Sequence, residues 1–282
     1  MPTKIPWCDE VLNVTTGCTK CSPGCLNCYA ERMAHRLAGM EEKAGREPRY
    51  SAVVDNKGWM GNVICEESIL DKPLHWKKPR RIFIDSMSDL FHPEVPFEFI
   101  HKVFTITQKA YQHTYLILTK RADRMLEFVN TCIQHGKNGQ PIEPSEGKYY
   151  HACYAWPHPN VHLGVSISNQ AEADEKIPIL LQIPAAVRWL SVEPMLEEID
   201  LHLNWAAKDC KGTISSACTQ LHGIIVGCES GPKRRPCKME WIYGIVNQCR
   251  DANIPCYVKQ INLNGEVVKM PKEFPQEYPI VK

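Results

Sequence analysis

The sequence predicts an α/β fold, a complete or partial (β/α) barrel of about six or seven parallel strands. Short runs rich in Ile, Val and Leu recur without the polar alternation of a half-exposed strand, which is typical of strands buried on both faces. Helical patterns lie between many of these runs, and such alternation forms a mainly parallel sheet covered by helices. A doubly wound open sheet is the alternative that the alternation leaves open.

The predicted elements follow one another in chain order. The strands cover residues 11–15, 81–84, 115–118, 161–167, 187–192, 224–226 and 255–258. The helices cover residues 29–38, 96–110, 122–133, 170–177 and 238–252. Gly39 ends the first helix and Pro178 limits the fourth, because glycine favours the residue after a helix and proline lacks an amide hydrogen. Residues 40–61 and 136–159 resemble insertions in a single domain over residues 1–282.

Composition excludes several classes of protein. The 282 residues include 33 Lys and Arg and 32 Asp and Glu, so the net charge of +1 excludes a strongly cationic nucleic-acid coat protein. No apolar run approaches the roughly 20 residues that cross a membrane, and the first ten residues lack the apolar core of a signal peptide. We therefore expect a cytoplasmic protein, where clustered cysteines favour a metal or catalytic site over disulfides.

Polar residues follow each predicted strand. In barrels and open α/β sheets the carboxyl ends of the strands form the functional site. The candidates are Ser86, Ser88, Asp89, Lys120, Ser166, Ser168, Asn169, Glu193, Glu229 and Ser230. We expect these residues to line one polar pocket over an apolar core, and ordinary loop polarity with helix capping is the alternative.

Four cysteines lie close together after the first strand, in a segment that we call the cysteine loop (residues 17–28). The spacing C-x3-C-x2-C is formed by Cys21, Cys25 and Cys28, and a Pro-Gly pair supplies a turn. Thiolates are the ligands of iron–sulfur clusters, and three thiolates on four irons leave one iron open. With Cys18 the loop instead contains two C-x2-C pairs, as in a four-cysteine zinc site. Zinc ribbons separate such pairs by about 15–20 residues, whereas three residues separate them here.

Longer motifs extend over nearly the whole chain. They are SPGC, NCYA, WKKPRRIF, SMSDLFH, LTKR, LSVEP and ESGP. The cysteine loop, followed at once by Tyr29, resembles that of the radical S-adenosylmethionine (SAM) superfamily, and its start resembles the spore-photoproduct-lyase-type enzymes. The motifs together resemble a phage and mobile-element family with a three-cysteine motif, filed as a domain of unknown function. That family has its cysteines at Cys18, Cys25 and Cys28, so the third ligand is either Cys18 or Cys21.

The resemblance implies a radical-SAM-like fold with a [4Fe-4S] cluster and SAM as cofactors. SAM would bind the open iron, and its reductive cleavage would yield a 5′-deoxyadenosyl radical that abstracts hydrogen from a substrate. The methionine ammonium would be met by Ser86, Ser88 and Asp89, and the carboxylate by Lys120 or Arg121. The ribose would be met by Ser166, Ser168, Asn169 or Glu193. Either ligand would lie near Glu229 and Ser230, and the cluster or the adenine near Tyr29.

The substrate is predicted only by class. Two basic runs, residues 77–81 and 233–235, fit either phosphate binding or solvated loop charge. The resemblance implies a nucleic acid or a partner protein as substrate, an electron donor and a partner protein from the same mobile element. The lack of a long apolar run predicts no membrane partner. The competing hypotheses are a zinc-binding nucleic-acid-interaction module without catalysis and a scaffold whose cysteines are merely buried.

Overall fold

The computed structural model describes residue 3 and residues 5–137, 156–203 and 221–276. It has an α/β fold with a mostly parallel eight-stranded sheet. The chain divides into two compact units. The first unit contains Met1–Cys21 and Cys28–His162, and the second contains Ser22–Asn27 and Leu163–Lys282. None of the described helices is both long and apolar enough to cross a membrane.

The described residues form the following strands and α-helices. The strands are β1 (Glu10–Leu12), β2 (Thr15–Thr16), β3 (Val54–Asp55), β4 (Gly58–Trp59), β5 (Ile64–Cys65), β6 (Arg81–Ile84), β7 (Thr114–Thr119), β8 (Val161–Ile167), β9 (Val187–Val192), β10 (Gly223–Gly227), β11 (Cys256–Leu263) and β12 (Glu266–Lys269). The α-helices are α1 (Tyr29–Ala44), α2 (Phe97–Lys109), α3 (Ala122–Lys137), α4 (Gln170–Gln182) and α5 (Met239–Asp251).

In the first unit, β1, β6 and β7 lie side by side and pair in parallel. Phe83 in β6 lies opposite both Val11 and Leu116, and the interior of β6 and β7 is almost wholly buried, as the apolar runs predict. The predicted strand over residues 11–15 is wrong in extent. It ends at Leu12, and Thr15 pairs instead with Cys65 in the antiparallel ribbon of β2 and β5.

The first helix is longer than the sequence predicts. The expected end at Gly39 is wrong, because α1 continues to Ala44 and ends before Gly45, which has a left-handed φ of 58°. The buried alanines Ala30, Ala34 and Ala38 pack into a core cluster, and this packing outweighs the roughly 1 kcal/mol that an internal glycine costs. The predicted insertion over residues 40–61 therefore contains the end of α1 and the ribbon of β3 and β4.

In the second unit, adjacent strands follow in chain order from β8 to β12. Parallel pairs join β9 to β10 and β10 to β11, whereas β12 pairs antiparallel with β11. A doubly wound sheet reverses its strand order at a switch point, and neither unit shows such a reversal among its described strands. The fold is thus compatible with the predicted partial barrel.

The expected limit of the fourth helix at Pro178 is wrong. The proline lies inside α4, which continues to Gln182. A proline inside a helix removes one backbone hydrogen bond, but the flanking Ile177 and Leu180 are buried and hold the last turn against the unit. Most of the predicted insertion over residues 136–159 lies outside the described residues.

Candidate functional site at the cysteine loop

The cysteine loop begins in the first unit at a position that only glycine can occupy without strain. Gly17 has φ of +106°, and a Cβ atom there would lie 2.3 Å from the carbonyl oxygen of Asn62. The Ser88 hydroxyl donates a hydrogen bond to the Gly17 carbonyl, and the two residues form a parallel bridge. The loop therefore starts against the residues that follow β6.

Asp89 and Arg121 hold the next part of the loop. The buried Asp89 carboxylate accepts hydrogen bonds from the Thr119 hydroxyl at 2.7 Å and from Arg121 Nη1 at 2.9 Å. It also accepts the backbone N–H groups of Phe91 and Lys120. The other terminal nitrogen of Arg121 donates to the Thr19 carbonyl at 3.1 Å and to the Thr19 hydroxyl at 2.8 Å. One arginine thus joins a strand-end carboxylate to the cysteine loop.

His92 completes the surroundings of Thr19. Its Nδ1 accepts the Glu94 N–H at 3.2 Å, which places the proton of the neutral ring on Nε2, 2.8 Å from the Thr19 hydroxyl oxygen. Burial and the Arg121 charge lower the pKa of His92 to about 4, so the ring is neutral at pH 7. The Thr19 hydroxyl accepts from both side chains.

The charge of Arg121 also acts on two cysteines. Burial tends to lower the pKa of Arg121, but its interactions with Asp89, Cys18 and Cys21 outweigh it and raise that pKa. Cys18 is partly buried and its thiol donates to the Thr19 carbonyl at 3.5 Å, whereas Cys21 is exposed. A fixed cation therefore lies near both candidates for the third cluster ligand.

The loop re-enters the first unit at α1. Cys28 precedes the helix, and its carbonyl accepts the Arg32 N–H at 3.3 Å. The Tyr29 hydroxyl donates to the Ser86 carbonyl, and the Ser86 hydroxyl donates to Asn13 Oδ1 at 3.2 Å. Tyr29 thus ties the start of α1 to the residues after β6, with 48% of its surface exposed.

The middle of the loop, Ser22–Asn27, belongs to the second unit, where Pro23–Cys25 form a 3-10 turn. The Ser22 hydroxyl accepts the Gly24 N–H at 3.0 Å, and the Ser22 carbonyl accepts the Cys25 N–H at 2.9 Å. A Cβ atom at Gly24 would lie 3.1 Å from Ser168 Oγ. Cys25 is buried in this turn, and Gly24 beside it packs against Ser168, which follows β8.

Glu229, after β10, holds this part of the loop together with Arg235. The buried carboxylate accepts Asn27 Nδ2 at 2.9 Å, the Arg235 backbone N–H at 2.7 Å and Arg235 Nη2 at 2.6 Å. Arg235 Nη1 donates to the Pro23 carbonyl at 2.9 Å. Burial tends to raise the pKa of Glu229, but the hydrogen bonds from Arg235 and Asn27 outweigh it and lower that pKa.

A second buried carboxylate, Glu172, fixes the end of β8. It accepts the Ser168 N–H at 2.8 Å and the Ser168 hydroxyl, and it pairs with Lys176 at 2.6 Å. Burial tends to raise the pKa of Glu172, but the bonds from Lys176 and Ser168 outweigh it and lower that pKa. Asn169 caps α4 by accepting the Glu172 N–H at 2.9 Å.

The remaining predicted site residues are also bonded within their units. Glu193 pairs with Lys259 at 2.8 Å, and its carbonyl accepts the hydroxyl of the buried Ser166 at 3.2 Å. Lys120 gives its backbone N–H to Asp89, and Ser230 is partly buried directly after Glu229. Many of these side chains therefore make the helix caps and loop contacts that the sequence analysis gave as the alternative. Their contacts with a ligand stay predictions.

Three side chains at or beside the loop were not among the predicted site residues. Glu172 stands inside a predicted helix, and Asn27 and Arg235 lie in segments considered for other roles. Only the position of Asn27 within the cysteine motif gave any signal. Glu172 and Lys176 are an i, i+4 pair of the kind that a helical pattern indicates, whereas nothing in the sequence indicates that Glu229 pairs with Arg235.

In the two basic runs the arginines are bonded within the chain, whereas the lysines are exposed. Arg80 pairs with Glu10, Arg81 pairs with Asp9 at 3.1 Å, and Arg234 donates to the carbonyls of Gly231 and Gly265. The exposed members are Lys77, Lys78 and Lys233. Most of the arginine charge in these runs therefore stabilises loops of this chain.

Among the residues that the structure describes, no three or more His, Cys, Asp or Glu side chains form a group arranged to hold a metal ion. What the cysteine loop shows is a set of thiols on a backbone that is fixed at several points in each unit. The fold and this loop define an α/β protein with a mostly parallel sheet, in which polar residues after the strands hold a cysteine-rich segment.

The chain belongs to the family described as "Protein of unknown function (DUF5131)", whose sequence profile matches residues 2–274. This agrees with the expected membership of a family of unknown function. A search of curated proteins finds no match. Among solved structures, the chain is similar to "Spore photoproduct lyase complexed with dinucleoside spore photoproduct", with 10% sequence identity and a TM-score of 0.46 over 92% of this chain and 78% of that chain.

Proposed function

We propose that this protein is a radical SAM enzyme whose cysteine loop binds a [4Fe-4S] cluster through Cys25, Cys28 and either Cys21 or Cys18. The observation that carries the proposal is the C-x3-C-x2-C loop after the first strand of a mostly parallel sheet. The path of this loop is fixed by side chains that follow β6, β7, β8 and β10. A segment that served only to connect β2 to α1 would not require so many buried polar contacts.

The donor set fits an iron–sulfur cluster in type and number. The loop offers thiols at Cys21, Cys25 and Cys28, with a fourth at Cys18, and thiolates are the usual ligands of such clusters. Arg121 supplies positive charge near Cys18 and Cys21, which favours the deprotonated form that binds metal. Three-thiolate ligation would leave one iron for SAM, and the cluster would supply the electron that cleaves it.

The protein's own residues would bind and orient SAM and exclude water. Ser86 and Ser88 act as hydrogen-bond donors to Asn13 and to the Gly17 carbonyl, so their oxygen lone pairs remain to accept an ammonium group. Lys120, beside the fixed Arg121, is the cation that we assign to the SAM carboxylate. Ser166 and Ser168, whose hydroxyls donate to the Glu193 carbonyl and to Glu172, are the residues that we propose for the ribose.

We propose a nucleic acid or a partner protein as the substrate, with an external electron donor and a partner protein from the same mobile element. The exposed Lys77, Lys78 and Lys233 support a nucleic acid over a neutral small molecule, because they offer charge for phosphate groups.

The test is anaerobic purification of the full chain, followed by metal analysis and reduction in the presence of SAM. The proposal expects about four irons per chain and release of 5′-deoxyadenosine. Cys25→Ser and Cys28→Ser should lose the iron, whereas Cys65→Ser, in β5 outside the loop, is the matched control and should retain it. A colourless protein with one zinc per chain would replace the proposal with a zinc site, and a protein without metal would leave only a scaffold.

The same preparation identifies the third ligand. Loss of iron in Cys21→Ser but not in Cys18→Ser supports the superfamily spacing, and the reverse result supports the family spacing. Equal loss in both variants would require a four-thiolate cluster, which contradicts an open iron for SAM.

A further inference from the structure

The two units hold the cysteine loop with the same chemical arrangement. In each unit a buried carboxylate that follows a strand binds an arginine, and this arginine donates to a backbone carbonyl of the loop. In the first unit the chain of contacts is Asp89, Arg121 and the Thr19 carbonyl. In the second unit it is Glu229, Arg235 and the Pro23 carbonyl.

The two held carbonyls stand in the same relation to a cysteine. Thr19 lies two residues before Cys21, and Pro23 lies two residues before Cys25. Each held carbonyl belongs to the planar peptide group that joins it to the residue directly before the cysteine. Fixing this peptide group limits the directions in which the thiol can point.

Both carboxylates are fully occupied by donors of this chain. Asp89 accepts four hydrogen bonds, from Phe91, Thr119, Lys120 and Arg121. Glu229 also accepts four, from the side chain of Asn27 and from three nitrogens of Arg235. An ionised carboxylate has about four lone-pair positions, so neither group retains one for an added ligand.

We infer that Arg121 and Arg235 are positioning residues of the cysteine loop, each held by its carboxylate, and that Asp89 and Glu229 act through them instead of binding SAM. The inference rests on the proposed function for its purpose, which is to present Cys21 and Cys25 to a cluster. The positioning itself is a property of the protein before any cluster binds.

The experiment measures hydrogen exchange at the backbone amides of residues 19–28 in the full chain, as isolated without metal, and iron retention against a chelator after reconstitution. Arg121→Lys and Arg235→Lys keep the charge but replace the planar fork that contacts carboxylate and carbonyl together. Each variant should raise amide exchange in its own part of the loop by about tenfold or more, the loss expected for a charge-assisted hydrogen bond. Iron loss to the chelator should accelerate in both variants.

Gln248→Ala is the matched control. Gln248 holds another loop of the second unit in a similar way, with its side chain bonded to the Ile199 carbonyl and the Leu201 N–H. This variant should change exchange near residues 199–201 and leave residues 19–28 unchanged. If Arg235→Lys proves too unstable, Asn27→Ala removes a donor to Glu229 without touching the arginine and should show the same local effect.

Unchanged exchange at residues 19–28 in both arginine variants would overturn the inference, as would a rise spread evenly over the whole chain. A wild-type protein that takes up no iron while the variants still loosen the loop would refute the proposed function and leave the positioning intact. Faster exchange with unaltered iron retention would show that the pairs hold the loop but do not position the cluster ligands, which contradicts the inference.

Discussion

The pairs Asp89–Arg121 and Glu229–Arg235 both hold the cysteine loop, but they differ in burial and in the elements that they join. Asp89 joins residues from the ends of β6 and β7. The exposed fraction of the Asp89 side chain is 8%, and that of Arg121 is 11%. Glu229 binds an arginine only six residues away in the same connection, and Arg235 retains an exposed fraction of 27%. The first pair therefore stabilises the connection between two strands of the sheet, whereas the second stabilises a single surface connection and the loop beside it.

The largest expected effect tests this difference directly. Asp89→Asn should lower the free energy of unfolding by about 3–5 kcal/mol, because it leaves the buried Arg121 charge without its partner. Glu229→Gln should cost less, since water reaches the more exposed Arg235. Urea unfolding measures the free energy that each variant loses. If Glu229→Gln loses as much as Asp89→Asn, or more, the two pairs do not differ in this way.

A neighbouring carboxylate shows what a strand-end acid does without an arginine. Asp85 accepts hydrogen bonds from the Thr15 N–H and hydroxyl, both at 2.9 Å, and no ion pair involves it in the described part of the chain. Burial, together with the charge of Asp89, outweighs these bonds and raises the pKa of Asp85 to about 7.

Because its folded-state pKa is raised, Asp85 contributes stability below about pH 4 that is lost as the pH rises through about 7. Each pKa unit corresponds to about 1.4 kcal/mol, so the loss has a ceiling of about 4 kcal/mol. Asp85→Asn should flatten the fall in stability between pH 4 and pH 8, as measured by urea unfolding at each pH. An unchanged pH profile would contradict this assignment, and Asp55→Asn at an exposed aspartate is the control.

The two halves of the loop also differ in their demand for glycine. Gly17→Ala should lower the free energy of unfolding by about 2–3 kcal/mol, because the positive φ and the Asn62 carbonyl both oppose a Cβ atom. Thermal unfolding with circular dichroism measures this loss. A variant as stable as the wild type would show that the start of the loop can move away from Asn62.

The smallest effect is expected at Gly24. A Cβ atom there would lie 3.1 Å from Ser168 Oγ and 3.2 Å from Pro194 Cδ, so a shift of a few tenths of an ångström relieves it. Gly24→Ala should cost less than about 1 kcal/mol in the same thermal assay. A cost equal to that of Gly17→Ala would mean that the second half of the loop is as rigid as the first.

The sequence predicts the parts of this fold that depend on local pattern. The strands Arg81–Ile84, Val161–Ile167 and Val187–Val192 have the predicted bounds, because continuous apolar runs mark burial on both faces. The local pattern predicts helix ends at Gly39 and Pro178, but both helices continue, since packing of Ala38 and Leu180 overrides the local preference. Local sequence preferences are overridden where tertiary packing contributes more free energy than the preference itself.

The candidate site divides in the same way. The cysteine spacing is local and visible in the sequence, and so is the polar character of the residues after each strand. The use of those residues is not local, because Glu229 binds Asn27 across 202 positions of chain and Arg121 binds Thr19 across 102. A single sequence shows that Asp89 and Glu229 are acidic but not that arginines already occupy them.

The separation of Cys25 from its anchors along the chain has a consequence for biosynthesis. The Pro23 carbonyl accepts its hydrogen bond from Arg235, 212 residues later, so the turn around Cys25 gains this contact only after residue 235 has left the ribosome. Until then the nascent thiols are unshielded from oxidants. Slow translation or oxygen exposure should therefore oxidise Cys25 before the folded turn buries it.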